Sequence, residues 1–480
     1  MRYGTREPVP AALRWRSSST EGCKRMLARF LKSALLGLCI LVALLVALYA
    51  ISARWPIPEA QRQALAQLRQ PPLPLRGPNM FVALWSLPYA VPDAQREALL
   101  AQDVQRFERL PAGMPLQSAA TRYPRRPNWP ASAPELCTRY DGCLDRVRQR
   151  QQAYADALAA HRPQLIKSRD LAGYADYRSP FPPSATAPLP TLPQFKLSMT
   201  SNALDFVQGR TEQALAGVCA DARIARVLLR SGDNLIMPMV GAAMLRTNAH
   251  LFAEMLSELP AKHPLPAQCL AAFAPLAVDE VSLCNALHGE SRMVLSMLET
   301  EVRKDPATDL SWDERLSLRL LDHKRTRALM APTYTWACSA PVRTLLAQDQ
   351  AVPQAMIPVP DTMSMGCIAN AVGCVLAGMA SPDYAHYQHK LQDAAAALRA
   401  LSAVLWLRDH PNDAQTLEQR LASLPPALRG QARPLQPGAD GRSVQLRQYA
   451  RREENVVEDQ WPLAGSKRPP EPAAISIKRS

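Results

Sequence analysis

The sequence predicts a mainly α-helical protein in which one N-terminal transmembrane helix is followed by a helical array or bundle, with a small β-hairpin near the C-terminus. Three observations carry that expectation. An uncharged apolar run covers 34–51, 44 prolines outnumber 19 glycines, and most later segments place apolar residues at three- and four-residue steps. Many short helices separated by proline-containing joints satisfy all three. The 480 residues suffice for two or three domains, and 48% apolar against 20% charged residues is ordinary for a folded chain.

The apolar run is read first. No charge occurs between Lys32 and Arg54. The ~21 residues between them, at about 1.5 Å each, match a hydrocarbon core of about 30 Å. Tyr49 and Trp55 stand at the far end, where interfacial aromatics belong. Lys24, Arg25, Arg29 and Lys32 crowd the near end, while Arg54, Arg62 and Arg69 are more thinly spread beyond it. The positive-inside rule then makes 1–33 a basic cytoplasmic arm, 34–53 the transmembrane helix and the remainder the translocated part. A cleaved signal peptide competes with this reading. Translation from Met26 would give a charged start through Lys32, and Ile51-Ser52-Ala53 resembles a cleavage site. The apolar run is longer than the roughly 7–15 residues of a signal core, which favours a retained anchor.

The cysteines point the same way. Cys23 and Cys39 lie before or within the apolar run, and eight lie beyond it: Cys137, Cys143, Cys219, Cys269, Cys284, Cys338, Cys367 and Cys374. An even number on the translocated side fits structural disulfides in an oxidising compartment. One pairing is readable, because Asp141-Gly142 is a turn signal that folds Cys143 back toward Cys137. Cys367 and Cys374 are seven apart in an expected helix, which would separate their α-carbons by about 10 Å and send each to another helix, such as one bearing Cys338 or Cys219. The paired close spacings of a zinc site are missing, so neither metal nor cofactor is expected.

Along the chain, Pro58 opens a helix, and 79–87 reads as a short strand or a buried helical turn. A polar amphipathic helix is expected over 144–166. Prolines 180, 182, 183, 188, 190 and 193 mark 179–195 as a linker between a membrane-proximal region, 54–178, and a helical main domain, 196–426. Within that domain 234–259 has helical spacing, and Ser311 with Glu314 forms a capping box. Ser381-Pro382 opens a long helix to about Asp409, and a further helix covers 411–424. Alternation over 442–449 predicts the hairpin within 427–454, and the charged, Pro-rich 455–480 reads as a disordered tail.

Charge and motifs exclude more than they assign. The net charge of +14 comes mostly from arginine, with eight basic residues ahead of the apolar run and no run of five or six in the remainder. Nucleic-acid binding needs a concentrated patch and is not expected. His288-Gly289-Glu290-Ser291-Arg292-Met293 lacks the glycine two residues after serine that a nucleophile elbow requires, and reads as a polar turn between helices. Its Glu290-Ser291 pair is shared with lytic transglycosylases, but the Gly-Leu-Met-Gln stretch of that family is missing. His386 and His389, with Asp383 one turn earlier, could hold a metal only with help from other helices, and read as surface histidines. No catalytic residue, cofactor or small-molecule ligand emerges.

The order Asn79-Met80-Phe81, Cys137, Cys143-Leu144, Tyr174, Tyr177 and Pro180-Phe181 resembles uncharacterised single-pass envelope proteins of Gram-negative bacteria. The resemblance covers about the first third of the exported part and implies localisation, with no activity. Taken with the residues, it leads to an expected single-pass inner-membrane protein, with the lipid bilayer and other envelope proteins as partners, whose periplasmic helical domain has a protein-binding or scaffold role. The competing expectation is a periplasmic hydrolase with a site assembled from distant residues.

Overall fold

Ser19–Arg54 forms one continuous helix, α1, in the computed structural model. The structure describes residues 19–111, 114–138, 142–192, 194–303, 311–379, 383–412, 414–450 and 458–467. At 36 residues α1 is about 54 Å long, well beyond the expected 34–53. The basic stretch before Ala34 is rich in good helix formers and simply continues it. Its most apolar 18-residue stretch is buried nowhere inside the protein.

The next helices are α2 (Glu59–Leu68), α3 (Phe81–Ser86) and α4 (Arg96–Arg109). Within 79–87 the helix covers Phe81–Ser86, while Asn79 makes an isolated β-bridge to Asp176, and Phe81 is fully buried. The single helix expected over 144–166 is three: α5 (Cys143–Gln149), α6 (Gln151–Ala159) and α7 (Arg162–Asp170). Arg150 leaves helical geometry at φ −130° and ψ 36°, and Pro163 starts a new first turn in α7. Between them His161 is buried, with its ring 5.6 Å from that of Trp129.

The Pro-rich 179–195 is packed along its start. Phe181 sits 5.1 Å from Trp85, 5.5 Å from Phe107 and 5.9 Å from Phe81, ring centre to ring centre. Aromatic groupings of this kind contribute about 0.5–1.5 kcal/mol per pair beyond burial. One contiguous core runs from Ala64 to Trp461 and passes through both flanks of this segment.

The body then continues as α8 (Gln194–Val207), α9 (Thr211–Leu229), α10 (Ile236–Glu258), α11 (Ala267–Ala272), α12 (Val278–Val281) and α13 (Cys284–Arg303). It proceeds through α14 (Trp312–Arg319), α15 (His323–Thr335), α16 (Ala340–Ala347), α17 (Ala371–Met379), α18 (Tyr384–Asp409), α19 (Leu417–Ala422) and α20 (Pro426–Arg429). Helices α8, α9 and α10 pack in sequence, and α18 packs on α10. Ala394, Ala397, Ala400 and Ala403 of α18 are fully buried, small side chains suited to close helix contact. Ser381 and Pro382, expected to open α18, lie outside the described residues. The described cap is Asp383, whose side chain accepts from the His386 amide at 3.1 Å. The helix expected over 411–424 is confined to α19, which Thr416 and Gln419 cap reciprocally.

The expected hairpin is a three-stranded antiparallel sheet, β1 (Gln436–Pro437), β2 (Ser443–Arg447) and β3 (Glu458–Pro462). The third strand comes from the segment expected to be a disordered tail, so that expectation is corrected for 458–467; residues 455–457 and 468–480 lie outside the described residues. Local composition was misleading because Trp461 is decided by a distant partner. Its ring stacks on His250 of α10 at 3.7 Å and is fully buried. Next to it Asp459 takes two hydrogen bonds from Arg246, at 2.5 and 3.1 Å. Burial alone would push the Asp459 carboxyl up, yet His250 and Arg246 hold it below its usual range.

A buried arginine ties this region to α18. Arg433 meets Asp349 and Asp393 at 2.5 Å each and lies 3.8 Å from the centre of the Tyr449 ring. Asp393 also accepts from the amides of Tyr449 and Ala450. The charges are thus paired and hydrogen-bonded, the condition for burying them without a large penalty.

Asp221 of α9 has no such cation in contact. It is fully buried and accepts from Ser198 Oγ at 2.8 Å and Asn202 Nδ2 at 2.9 Å. Burial pushes its carboxyl up to about 7. Its contribution to stability is complete below about pH 4, where folded and unfolded chains are both protonated, and is lost as pH rises through about 7. Asp233, at about 6, and Glu254, at about 7, act with the same sign. Denaturant unfolding is expected to give lower stability at pH 8 than at pH 5, with a shallower slope in Asp221→Asn; an unchanged slope in that variant would contradict the assignment.

Candidate functional site: the junction of the apolar helix and the body

The last turn of α1 ends in polar contacts to the body. A helix end leaves carbonyls and any buried hydroxyl in need of partners. Ser52 has no exposed surface; it donates to the Met365 carbonyl at 2.6 Å and accepts from the Ala369 amide at 2.8 Å. Arg325 Nη2 donates to the Ala53 carbonyl at 2.6 Å, and cations are favourable at a helix C-terminus. The neighbours of Ser52 on its own helix, Ile51 and Ala53, remain exposed.

The receiving loop is itself held. Asn370 Oδ1 accepts from the Asp322 amide at 2.6 Å and from Thr326 Oγ1 at 3.2 Å. Asp322 caps α15 by accepting from the Arg325 amide at 3.0 Å and pairs with the Arg325 guanidinium at 3.1 Å. The Val372 amide donates to the Leu320 carbonyl at 3.1 Å. A chain of polar contacts therefore runs from Ser52 through residues 365–372 to the start of α15.

Cys367 and Cys374 close this loop. Their α-carbons stand 5.7 Å apart with the sulfurs at bonding distance. The expectation that they must pair elsewhere is overturned. Cys367 ends a short 3-10 turn, Met365–Cys367, and α17 begins only at Ala371, so no continuous helix separates them. The remaining cysteines meet as Cys137 with Cys143, Cys219 with Cys269, and Cys284 with Cys338, with α-carbons 5.7, 4.9 and 4.8 Å apart. Gly142 permits the first of these turns, with φ of +67° ahead of α5. Its amide donates to Glu254 Oε1 at 3.1 Å. Cys39, on the apolar helix, is a free cysteine.

The segment 288–293 is no turn; it lies inside α13. Gly289 lets the helix approach the loop 231–235, since a Cβ there would stand 2.2 Å from the Gly232 carbonyl oxygen. Arg292 donates to that carbonyl at 2.8 Å, and Glu290 accepts from the Leu235 amide at 3.2 Å. Ser291 is buried and donates to the His288 carbonyl at 2.7 Å, which leaves it without a nucleophile's geometry. Asp233 accepts from the Ser179 amide and is pushed up to about 6 by burial. Glu290 is raised and His288 lowered for the same reason. His288 Nε2 lies 3.4 Å from Cys338 Sγ, so Cys284, His288 and Cys338 have metal-ligand proximity, but both sulfurs are engaged with each other.

The other histidines read from the sequence do not converge. Asp383 caps the helix bearing His386, and His389 Nε2 is 2.9 Å from the Val352 carbonyl. An open cleft lined by Asp145, Arg148, Glu258, Asp440, Arg442 and Lys467 has Arg148 engaged in ion pairs with Asp145 and Glu258. A second, near Leu421, Leu424 and Leu435, brings together no acid, base and nucleophile.

Sequence reading missed Ser52, Arg325 and Asn370 as a group, and Asp233 separately, since their partners are far apart along the chain. The signal that could have found the junction was a small polar residue ending an apolar run, and it was absorbed by the cleavage-site motif. Comparison with protein-family models, curated proteins and solved structures finds no match to this chain.

Ser52→Ala is expected to leave the Ala369 amide and Met365 carbonyl without their partner, at a cost of about 1–3 kcal/mol. Amide exchange at Ala369 should then accelerate by about tenfold or more; exchange at the wild-type rate would show that the junction is not held there.

Proposed function

We propose that this protein is a single-pass inner-membrane protein with its N-terminus in the cytoplasm and a disulfide-bonded helical domain in the periplasm. That domain serves as a binding or scaffold element for other proteins of the envelope. The observation that carries the reading is α1 itself: a long helix whose apolar stretch is not covered by the protein and whose last turn is fixed to the body. A helix apolar on all faces without protein around it calls for lipid. The basic residues ahead of it support the orientation. Four cysteine pairs within bonding reach support an oxidising compartment on the far side. Retention is supported by Ser52 and Ala53, because cleavage after Ala53 would remove both groups from the contacts they make. The resemblance to envelope proteins of Gram-negative bacteria agrees with this localisation.

A periplasmic hydrolase is the second reading, and its favouring observation is the loop 231–235 with α13. Asp233 and Glu290 both titrate above the usual carboxylate range there, beside Arg292. Raised carboxyls suit a general acid, although structural burial raises them too. Both carboxyls are spent on backbone amides, which favours the scaffold reading.

Reporter fusions separate these topologies. A C-terminal alkaline phosphatase fusion is expected to be active and a C-terminal green fluorescent protein fusion dark, with the mature chain retaining residues before Ala34. A fluorescent C-terminal fusion would reverse the orientation, and a mature chain beginning at Arg54 would establish cleavage.

A further inference from the structure

Helix α17 carries its apolar stripe on the wrong side for a core helix. Gly373, Cys374 and Ala377 face the body and are buried. Val375, Leu376 and Met379 are exposed, by 61%, 39% and 78%, and Val372 one turn earlier is half-buried. These positions follow the i, i+3, i+4, i+7 pattern that a soluble helix turns inward. The stripe extends beyond the helix. Thr362 Cγ2 lies 3.1 Å from where a Cβ on Gly378 would stand, which sets neighbouring Met363, 92% exposed, beside the end of α17. Ile368 is also exposed, at 38%, between the two residues that grip Ser52. No charged residue occurs from Thr362 through Pro382.

The location of this face decides what covers it. Met365 and Ala369 bond directly to the last turn of α1, and the Cys367–Cys374 pair fastens α17 to that same loop. The face therefore adjoins the end of the apolar run on α1. Cations flank it: Arg54 and Lys324 are exposed, Arg325 reaches Ala53, and Arg319 is exposed one residue before Leu320, which bonds to Val372. Asp361, Asp383 and Asp322 are the acids close by in sequence; Asp383 caps α18 and Asp322 is paired with Arg325. Apolar side chains ringed by arginine and lysine match the boundary between acyl chains and anionic headgroups.

We propose that Met363, Ile368, Val375, Leu376 and Met379 lie in the interfacial layer of the bilayer that α1 crosses, seating the body on the membrane through this face. The inference rests on the anchor reading of α1. It gives the Ser52 junction a purpose: a helix locked to the body at a fixed angle holds α17 against lipid, where a flexible tether would let the body swing free.

The test uses the full chain in nanodiscs of phosphatidylcholine and phosphatidylglycerol, one protein copy per disc. Cys23→Ser leaves the native Cys39 as the free thiol for a bimane probe on α1. A second protein, with Cys23→Ser, Cys39→Ser and Met379→Cys, carries the probe on α17, and a third places it by Val375→Cys. Mass spectrometry confirms that the four native cysteine pairs persist in each. Lipids brominated along the acyl chain are expected to quench Cys39 strongly, and α17 probes should be quenched best by bromines about 5–10 Å below the headgroups. Quenching at Cys39 with none at either α17 position overturns the proposal, assigns the face to a protein partner or a second copy, and leaves the anchor standing. No quenching at Cys39 removes the anchor and the proposal together.

Discussion

The hydroxyl of Ser52 is the point on which the structure turns. It sits at the end of an otherwise exposed apolar helix and is the residue through which that helix meets the 3-10 turn at 365–367. Burying a hydroxyl is costly unless both its donor and acceptor roles are met, and here both are. The contact is local, but the polar chain behind it runs through Asn370 and Thr326 into α15, which packs on α2. The apolar helix and the continuous core are thereby parts of one mechanical unit. Without that contact, α1 would be joined to the body by the Arg325 hydrogen bond to the Ala53 carbonyl and by the chain leading into α2.

The cysteine pairs reinforce different parts of this unit. Cys219 with Cys269 and Cys284 with Cys338 span 50 and 54 residues. Closed as disulfides, each restricts the unfolded chain by about 4 kcal/mol in the loop-entropy picture, against about 2 kcal/mol for a span of six or seven. The two long pairs thus bear on global stability, linking α9 to α11 and α13 to the turn before α16. The two short ones shape local turns. Cys367–Cys374 shapes the turn that grips α1, and Cys137–Cys143 shapes the turn whose Gly142 amide reaches Glu254 on α10.

What was legible in the sequence followed from local rules. The apolar run, the closeness of Cys137 and Cys143 and the β-alternation over 442–449 all announce themselves within a few residues. What was not legible depended on distance. Treating 367–374 as one helix hid a pair that a 3-10 turn makes possible. Trp461 was hidden in a charged, proline-rich tail because its partner His250 is two hundred residues away. The Pro-rich 179–195 read as a linker because proline density says nothing of Phe181, which fills the space among Phe81, Trp85 and Phe107. For the same reason the Ser52 junction was invisible: a serine next to an alanine after an apolar run has the pattern of a cleavage site.

In the proposed topology α1 separates two redox environments, with the body folded around closed cysteine pairs on the oxidising side. Counting thiols in protein taken directly from cells tests it most directly. Denaturation in the presence of a mass-tagged maleimide should add two tags without reductant, on Cys23 and Cys39, and ten after reduction. Ten tags before reduction would mean that none of the four pairs is closed in the cell, and would contradict the assignment of the body to an oxidising compartment.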